Sequence, residues 1–380
     1  MRPRLIITAV LALLAPAYAA GPAAAASPGA PSLGDRLFPG LGNGGYDARH
    51  YDLDLRYATS DPAQPVDGTV TIHARAKQSL SRFNLDFSGG GVEAVSVNGR
   101  AARWRRDGAE LVVTPRRRLR DNKRFVVRVA GFVATPTEPN PDDPNTLGFF
   151  ITPDGTAMAP QPDLARMIYP SNDHPSDKAT FTFRLDVPAG TDAFANGVLT
   201  RSRTRGGRTV STYEERDPMA TQLTQVAVGD YDTIDRGRHR GVPVRDVTSP
   251  RLTSFLEPML ATELDHLDWM EDRVGRYPFD AYGSLVVDVV LGFALETQTL
   301  SLYDRYWFTE LGQGVWDPTM LHEAAHIGSA TASRLRSGAI CGSARGTRPG
   351  TSSSTRRSSG SSKRTPRATR TRPATPTSTT

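Results

Sequence analysis

The runs "HYDLDLRY" (50–57) and "GTVTIHARA" (68–76) decide the fold class of the first part of this chain. In each run apolar and polar side chains alternate, and a period of two residues places them on opposite faces of a β-strand. Ser, Asp and Pro residues stand between the two runs and favour a turn. The stretch therefore predicts two neighbouring strands that bury one face and expose the other.

Similar runs continue on the C-terminal side of this pair. They are "RFNLDFS" (82–88), "VEAVSVN" (92–98), "ELVVTP" (110–115), "RFVVRVAGF" (124–132), "ATFTFRLDV" (179–187) and "TQLTQVAVGDY" (221–231). Short strands separated by Gly, Asn, Asp or Pro are typical of an all-β sandwich-like domain, which we predict for residues 46–245. Residues 27–45 are rich in Gly, Pro and Ala and are predicted to be a linker.

The hydrophobic period changes after residue 245. Between residues 252 and 270, Leu, Phe and Met recur at steps of three and four residues, which predicts an amphipathic helix. The runs "SLVVDVV" (284–290) and "ALETQTLSLY" (294–303) favour buried strands. Residues 246–326 are therefore predicted to be the first part of a mixed α/β domain.

Residues 1–26 have the pattern of a secretory signal peptide. Arg2 and Arg4 precede an apolar core at residues 5–15, and small residues follow, with a possible cleavage position near residues 19–20. The apolar core is too short to span a bilayer comfortably. The sequence thus predicts a secreted, extracellular protein without a stable membrane anchor.

The formal net charge of +6 is distributed unevenly along the chain. Residues 327–380 contain 11 Lys and Arg and no Asp or Glu, whereas residues 27–326 contain 33 basic and 40 acidic residues. No aromatic residue lies between the arginines of this tail, which speaks against a nucleic-acid partner. A segment so rich in Ser, Thr and Arg cannot bury enough apolar surface to fold, so the tail is predicted to be disordered. It contains the only cysteine, Cys341, which excludes a disulfide framework and a thiolate metal site.

The motif "HEAAH" carries the chemistry of this sequence and consists of His322, Glu323, two alanines and His326. Residues four apart lie one helical turn apart, so the two imidazoles can be directed at one metal ion. Glu323 lies beside them, where a carboxylate can take a proton from metal-activated water. Asp317 and Pro318 are predicted to cap and begin this helix. The five-residue pattern also fits a surface helix with two solvated histidines.

Three other stretches occur in an informative order. They are "GNGGYDARHYDLDLRY" (42–57), "QPDLARMIYPSNDHPSDKATFTF" (161–183) and "FALETQ" (293–298). Together with "HEAAH" they resemble the gluzincin zinc aminopeptidases of the aminopeptidase N type (membrane alanyl aminopeptidase, leukotriene A4 hydrolase-like). In the family's G-x-M-E-N motif, Glu296 matches the glutamate, whereas Phe, Leu and Thr replace the Gly, Met and Asn. The resemblance implies a saddle-like N-terminal β domain followed by a thermolysin-like zinc peptidase domain.

The resemblance also implies an activity, a cofactor and a substrate class. The family consists of zinc-dependent metalloaminopeptidases, which remove N-terminal residues from peptides with a free N-terminus. One Zn²⁺ ion would be held by His322 and His326, and Glu323 would be the catalytic base. Glu296 would bind the free α-amino group of the substrate, with Gln161 assisting. From the residues alone, a strand glutamate in an ion pair and a loop glutamine remain alternatives for these two positions.

Two further family residues have no counterpart in this sequence. The family's third zinc ligand would fall at position 345, which is Arg, and no tyrosine follows Tyr306 to steady an oxyanion. When residues 328–333 are back-translated and shifted by one base, they give Trp-Phe-Gly-Asp-Ser-Val, the family's usual continuation. The same frame allows a glutamate codon where the third ligand belongs. We therefore interpret residues 327–380 as the out-of-frame tail of a C-terminally truncated chain with impaired peptidase activity.

A non-catalytic function stays open as an alternative. An exported β domain could bind peptides or cell-surface material, and it would need the strands of residues 46–231 but no ligand at position 345. Binding of peptides without hydrolysis would favour this alternative over the peptidase.

Overall fold

A computed structural model describes residues 25–332 of the chain, with the side chains of residues 25–326. Residues 1–24 of the predicted signal peptide and residues 333–380 of the predicted tail, including Cys341 and Arg345, lie outside the described residues. None of the helices in the described part is both long and apolar enough to cross a membrane.

Strands dominate the chain up to residue 248. In chain order they are β1 (Ser27–Pro28), β2 (Tyr46–Tyr57), β3 (Val66–Ala76), β4 (Leu80–Asp86), β5 (Ala94–Val97), β6 (Arg100–Ala101), β7 (Arg103–Asp107), β8 (Glu110–Thr114), β9 (Arg124–Ala134), β10 (Phe149–Thr152), β11 (Gly155–Met158), β12 (Ala179–Pro188), β13 (Asp192–Ala195), β14 (Val198–Arg205), β15 (Arg208–Met219), β16 (Val226–Gly229), β17 (Asp232–His239) and β18 (Val242–Thr248). Short 3-10 turns lie at Pro144–Thr146, Ala165–Met167 and Thr221–Leu223.

Helices alternate with strands after residue 252. The elements are α1 (Thr253–Leu260), α2 (Glu263–Val274), β19 (Ser284–Val287), β20 (Ala294–Leu295), β21 (Ser301–Asp304), α3 (Tyr306–Thr309) and α4 (Gln313–Ala332). The described part is thus an all-β region followed by the beginning of a mixed α/β region, which confirms the fold class predicted from the change of hydrophobic period.

The largest sheet has eight strands in the order β14-β15-β12-β2-β3-β9-β5-β6. All neighbours in it are antiparallel except β12 and β2, which run parallel. Two four-stranded sheets, β1-β4-β8-β7 and β10-β11-β16-β13, share its hydrophobic core. Aromatic side chains fill that core, among them Tyr51, Phe83, Phe132, Phe181 and Phe183, each with at most 1% of its surface exposed.

The alternation of apolar and polar residues gives the paired strands β2 and β12 one apolar face and one charged face. Leu53 and Leu55 of β2 are buried. Asp52 and Asp54 alternate with these leucines and point to the other face. There each aspartate accepts a hydrogen bond of 3.1 Å from Arg184 of β12. The sheet therefore has an apolar inner face and a charged outer face, as a period of two requires.

The segment of residues 27–45 packs on the β region, which departs from the linker predicted there. β1 pairs with β4 in parallel orientation, and Leu41 is buried. Asn43 is completely buried and its side chain donates a hydrogen bond of 3.0 Å to Asp86 on β4. Composition did not indicate this packing, because the segment is held by backbone pairing and by one buried amide.

The mixed sheet begins at β17, before the boundary predicted at residue 246. Its order is β17-β18-β19-β21-β20, and β18, β19 and β21 run parallel. The single amphipathic helix predicted for residues 252–270 is divided into α1 and α2. The division lies at Thr262, whose backbone N–H and hydroxyl both bond to the carbonyl of Met259 and close α1 with a tighter turn.

The strand predicted for residues 294–303 is also divided. β20 and β21 form an antiparallel hairpin in which Leu295 faces Leu302. Thr299 lies in the connecting loop with φ of +65°, in the left-handed region, which is incompatible with a continuous strand. Glu296 consequently lies at the end of β20, at the start of a tight loop.

Candidate active site

Helix α4 positions the "HEAAH" residues and begins earlier than predicted. It starts at Gln313, so Pro318 lies inside it and Asp317 is not its cap. The Asp317 carboxylate instead lies 2.8 Å from Nε2 of His266 on α2, which ties the two helices together. The helix also continues through residue 332, six residues into the segment predicted to be disordered, because extending an existing helix costs little.

One face of α4 is packed against the mixed sheet. Trp316 and Met320 contact an apolar cluster with Tyr303, and Ala324 contacts a second cluster with Tyr282. Residues three or four positions apart share a helix face, so Glu323, which follows Met320 by three positions, lies towards the packed face. Only 5% of Glu323 is exposed.

The two histidines lie at the side of this buried face. Nε2 of His322 and Nε2 of His326 are 2.9 Å apart, and the two rings are nearly perpendicular at 87°. Both nitrogen atoms therefore converge on one point in space. His322 is exposed and His326 is half-buried, so the point of convergence is accessible from the surface.

Electrostatics connect Glu296 with this helix. Burial, reinforced by the charge of Glu296, raises the pKa of Glu323 to about 8. Partial desolvation lowers the pKa of His322, and the neighbouring His326 acts in the same direction while Glu296 opposes it. An imidazole whose pKa is lowered is neutral at physiological pH, which is the form that binds a metal. The fold thus brings Glu296, His322, His326 and Glu323 into one site.

The β region holds the loop of residues 296–300 through buried hydrogen bonds. The Asn196 side chain, which is completely buried, donates to the carbonyl of Gln298. The hydroxyl of Thr299 accepts a hydrogen bond of 2.6 Å from the N–H of Gly197. The same hydroxyl donates a hydrogen bond of 3.3 Å to Glu215. Burial raises the pKa of Glu215 to about 7. Glu296 is therefore positioned by residues that lie about 80 to 100 positions earlier in the chain.

Gln161 lies between β11 and the 3-10 turn at Ala165–Met167. It is half-buried, follows β11 and forms a cis peptide bond with Pro162. Ala159, two residues before it, belongs to the apolar cluster that contains Leu295, next to Glu296. The Gln161 side chain makes no hydrogen bond within residues 25–332.

The described residues of the site provide two of the three protein ligands that a catalytic zinc ion requires. Two imidazole nitrogens separated by 2.9 Å can both reach one ion at the usual distance of about 2.0–2.1 Å. A catalytic zinc site has three protein ligands, and the third is not supplied by the described residues around His322 and His326. Position 345, where the resemblance puts it, lies outside the described range.

A second group of residues that could bind a metal ion has its carboxylates paired with an arginine. His239, Asp268 and Glu271 have ligand atoms within 4.8 Å of one another. Arg240 pairs with both carboxylates, at 2.7 Å from Asp268 and 2.8 Å from Glu271. Because the guanidinium occupies the space between the carboxylates, this group is an ion-pair network.

Sequence reasoning missed the residues that support the site. Tyr303 is completely buried, and burial together with the nearby charge of Glu323 raises the pKa of its hydroxyl well above the ordinary value. Asn196, Glu215 and Thr299 were not identified either. The available signals were a polar Thr in an apolar stretch and an Asn-Gly pair, and neither signal points to a distant partner.

Known proteins resemble this chain in sequence and in structure. Residues 156–223 match the Peptidase M1 N-terminal domain. Among curated proteins, the chain is 28% identical over 179 residues to aminopeptidase N of Streptomyces lividans, which covers 43% of this chain and 20% of the relative. It is 26% identical over 170 residues to aminopeptidase M1-B of Oryza sativa, which covers 43% of this chain and 19% of the relative. The chain thus spans about a fifth of the length of these curated relatives.

Solved structures match over a larger part of the chain. The M1 zinc metallopeptidase of Deinococcus radiodurans superposes with a TM-score of 0.69 at 31% identity, covering 78% of this chain and 67% of the neighbour. A mutant of that enzyme bound to a Tyr-Ser-Ala substrate gives a TM-score of 0.64 at 32% identity, covering 71% of this chain and 63% of the neighbour. The agreement extends over both the β region and the beginning of the α/β region, and the chain belongs to the M1 family of zinc metallopeptidases.

Proposed function

We propose that this chain carries the active site of a zinc-dependent aminopeptidase, which removes N-terminal residues from peptides. His322 and His326 would hold one zinc ion, and Glu323 would be the general acid and base. Glu296 would bind the free α-amino group of the peptide, with Gln161 assisting. The single observation that supports this proposal most strongly is the convergence of the two imidazoles beside the buried Glu323 and the nearby Glu296.

Each of the proposed site residues has a separate role in hydrolysis. His322 and His326 would hold a zinc ion, which would supply the Lewis acidity for water activation and for polarisation of the scissile carbonyl group. Glu323 accepts the proton of the attacking water and passes it to the leaving amine. Glu296 pairs with the substrate ammonium group and so places the first peptide bond, rather than a later one, next to Glu323. The buried hydrogen bonds of Asn196 and Thr299 fix the loop that carries Glu296.

We further propose that the chain as printed holds zinc weakly and hydrolyses peptides slowly. Arg345 stands at the position where the resemblance expects a ligating glutamate, and a guanidinium cannot bind a cation. The out-of-frame origin of residues 327–380 is part of this proposal. Resequencing the DNA over codons 315–381 tests it directly, because a restored base should place a glutamate at position 345.

The site itself is tested by zinc binding and by hydrolysis of aminoacyl 4-nitroanilides. We expect weak one-to-one zinc binding that is lost in His322→Ala and retained in Glu323→Gln, because only the first removes a ligand. Any turnover should disappear in both variants. Zinc binding that is indifferent to His322→Ala would contradict the site, whereas turnover at the rate of an intact M1 enzyme would contradict only the impairment.

The role of Glu296 is tested with paired substrates. Peptides with a free N-terminus should be bound by the wild-type chain, and acetylation of that N-terminus should weaken binding because the ammonium charge is lost. Glu296→Gln should remove this preference without changing zinc binding. An unchanged preference in the variant would rule out Glu296 as the amine-binding residue.

We also propose that the protein is exported, on the basis of the charge and hydropathy pattern of residues 1–26. A fusion of this segment to a reporter enzyme, compared with the same segment carrying Arg2→Glu and Arg4→Glu, tests the proposal. Export of the first fusion and retention of the second is the expected result.

A further inference from the structure

Positive charge is concentrated in a short part of the β region. Residues 100–128 contain ten Arg and one Lys against three acidic residues. The rest of residues 27–326 contains 22 basic and 37 acidic residues, so its net charge is strongly negative. A local excess of this size creates a positive field on an otherwise acidic protein.

The fold gathers part of this segment at one corner of the β region. β6 is an outer strand of the eight-stranded sheet and β7 is an outer strand of a four-stranded sheet, and the two are consecutive in the chain. Arg103 on β7 pairs with Thr114 on β8, directly before the loop of residues 115–120. We call the set Arg100, Arg103, Arg116, Arg117 and Arg118 the arginine corner.

The side chains of the arginine corner are exposed, and none of them forms an ion pair within residues 25–332. Several other arginines of the described residues have acidic partners. Arg184 lies 3.1 Å from both Asp52 and Asp54, and Arg236 lies 2.5 Å from Asp246. The corner thus places like charges together without a counter-charge, which is unfavourable unless an external anion supplies one.

A pocket of about 320 Å³ lies at this corner. Its lining residues are Val97, Asn98, Arg100, Pro115, Arg116 and Arg117. No carboxylate lines it. The side-chain Oδ1 of Asn98 accepts a hydrogen bond of 2.9 Å from the N–H of Val126, so the side-chain NH₂ group remains as a donor. The polar side chains of the pocket are therefore hydrogen-bond donors.

This chemistry suits a phosphate group. Guanidinium groups bind the oxygens of phosphate in a bidentate manner, and three of them with one amide can satisfy a tetrahedral oxyanion. Arg103 and Arg118 belong to the same corner without lining the pocket, so they can neutralise further anions of a longer ligand. No aromatic side chain, on which a nucleic-acid base would stack, lines the pocket itself, and the exposed Trp104 beside Arg103 lies outside that lining.

We propose that the arginine corner binds a linear phosphate polymer without nucleobases, seating one phosphate in the pocket and the next ones along Arg103 and Arg118. A bilayer surface is the less favoured occupant, because the apolar residues of the loop, Pro115 and Leu119, are buried and no apolar side chain protrudes from it. The site is separate from the peptidase residues, so the proposal does not depend on catalysis.

Binding of inorganic polyphosphate by the full chain is the first test. The variant Arg100→Ser/Arg116→Ser/Arg117→Ser removes the pocket donors. The matched control Arg201→Ser/Arg203→Ser/Arg205→Ser removes the same charge from β14, at the opposite edge of the eight-stranded sheet, where the arginines are equally exposed. The basic tail is identical in all three proteins, so its contribution cancels in the comparison.

We expect the pocket variant to bind polyphosphate at least tenfold more weakly than the control variant at moderate salt. The slope of log affinity against log salt concentration should fall by about two for three lost contacts, if each contributes about 0.7 as in single-stranded polyanions. Equal losses in the two variants would overturn the proposal. So would tighter binding of single-stranded DNA, of heparin or of vesicles rich in anionic lipid than of polyphosphate.

Arginine modification with phenylglyoxal, located by mass spectrometry, gives a second readout that the tail does not influence. Polyphosphate should protect Arg100, Arg116 and Arg117 from modification and leave Arg201, Arg203 and Arg205 reactive. Protection confined to residues 327–380, or equal protection of both groups, would overturn the proposal even if the full chain binds polyphosphate.

Discussion

Asn196 shows how a single buried side chain connects the β region with the candidate site. Its amide nitrogen donates to the carbonyls of Leu223 and Gln298, and its amide oxygen accepts a hydrogen bond of 2.5 Å from the N–H of Gln225. Both polar atoms of this side chain are therefore used, and two separate segments, residues 223–225 and the loop of residues 296–300, depend on it. A buried group with such connections cannot be replaced without leaving other buried groups unpaired.

We expect Asn196→Ala to lower the free energy of unfolding by roughly 2–6 kcal/mol, because two buried backbone groups lose their partners at about 1–3 kcal/mol each. Urea denaturation followed by tryptophan fluorescence measures the change. Gln64→Ala is the control, since Gln64 is exposed and bonds only to Asp61 at the surface. A loss as small in Asn196→Ala as in the control would show that the hydrogen bonds of Asn196 are dispensable.

At the scale of elements, β3 and β9 approach each other closely at one point. Gly68 on β3 faces Phe132 on β9, and a Cβ atom added to Gly68 would lie 2.1 Å from the ring of Phe132. The ring is completely buried in the main core and cannot move aside freely. The two strands can pair at this distance only because residue 68 has no side chain.

Gly68→Ala should therefore destabilise the protein by about 1–3 kcal/mol through overpacking. Gly90→Ala is a matched control, because the nearest atoms to its added Cβ lie at 3.6 Å. Combining Gly68→Ala with Phe132→Leu should cost less than the sum of the two single changes, since the smaller side chain makes room. Additive costs in this double-mutant cycle would contradict the steric explanation.

At the scale of the whole molecule, buried carboxyl groups link stability to pH. Asp86 on β4 faces Glu110 on β8, and Asn43 donates hydrogen bonds to both. Burial is the main cause that raises the pKa of each of these carboxyls to about 7. Burial likewise raises the pKa of Asp173 to about 7. The ordinary value in an unfolded chain is about 4.

The sign of the pH dependence follows from this difference. Because the folded state binds more protons than the unfolded state between about pH 4 and pH 7, the stability conferred by these groups is present at low pH and is lost as the pH rises through their folded pKa. We expect the melting temperature to fall from pH 5 to pH 8. The fall should be smaller in Glu110→Gln, which keeps a neutral group that can donate to Asp86.

The control for this experiment is Asp121→Asn, which changes an exposed carboxylate of the same β region. It should leave the dependence of melting temperature on pH unchanged. A melting temperature that rises over this pH range, or an equal slope in Glu110→Gln and the wild-type chain, would contradict the assignment.

The sequence by itself determined the features that depend on local order. Period-two alternation predicted the strands of residues 46–231, because the faces of a strand follow directly from sequence spacing. The spacing of His322 and His326 placed two imidazoles on one helix face for the same reason. The quoted stretches, taken in order, also pointed to the family that the comparisons show.

The tertiary structure alone decided what depends on distant partners. Residues 27–45 pack on β4, which their composition did not indicate. Helix α4 begins at Gln313, so Asp317 lies inside it and contacts His266 instead of capping the helix. The tertiary structure also brought Glu296 to Glu323 by anchoring the loop of residues 296–300 to Asn196. Such contacts join residues about 50 to 100 positions apart, and no periodicity encodes them, because their energy comes from burying polar groups that must find each other in the folded chain.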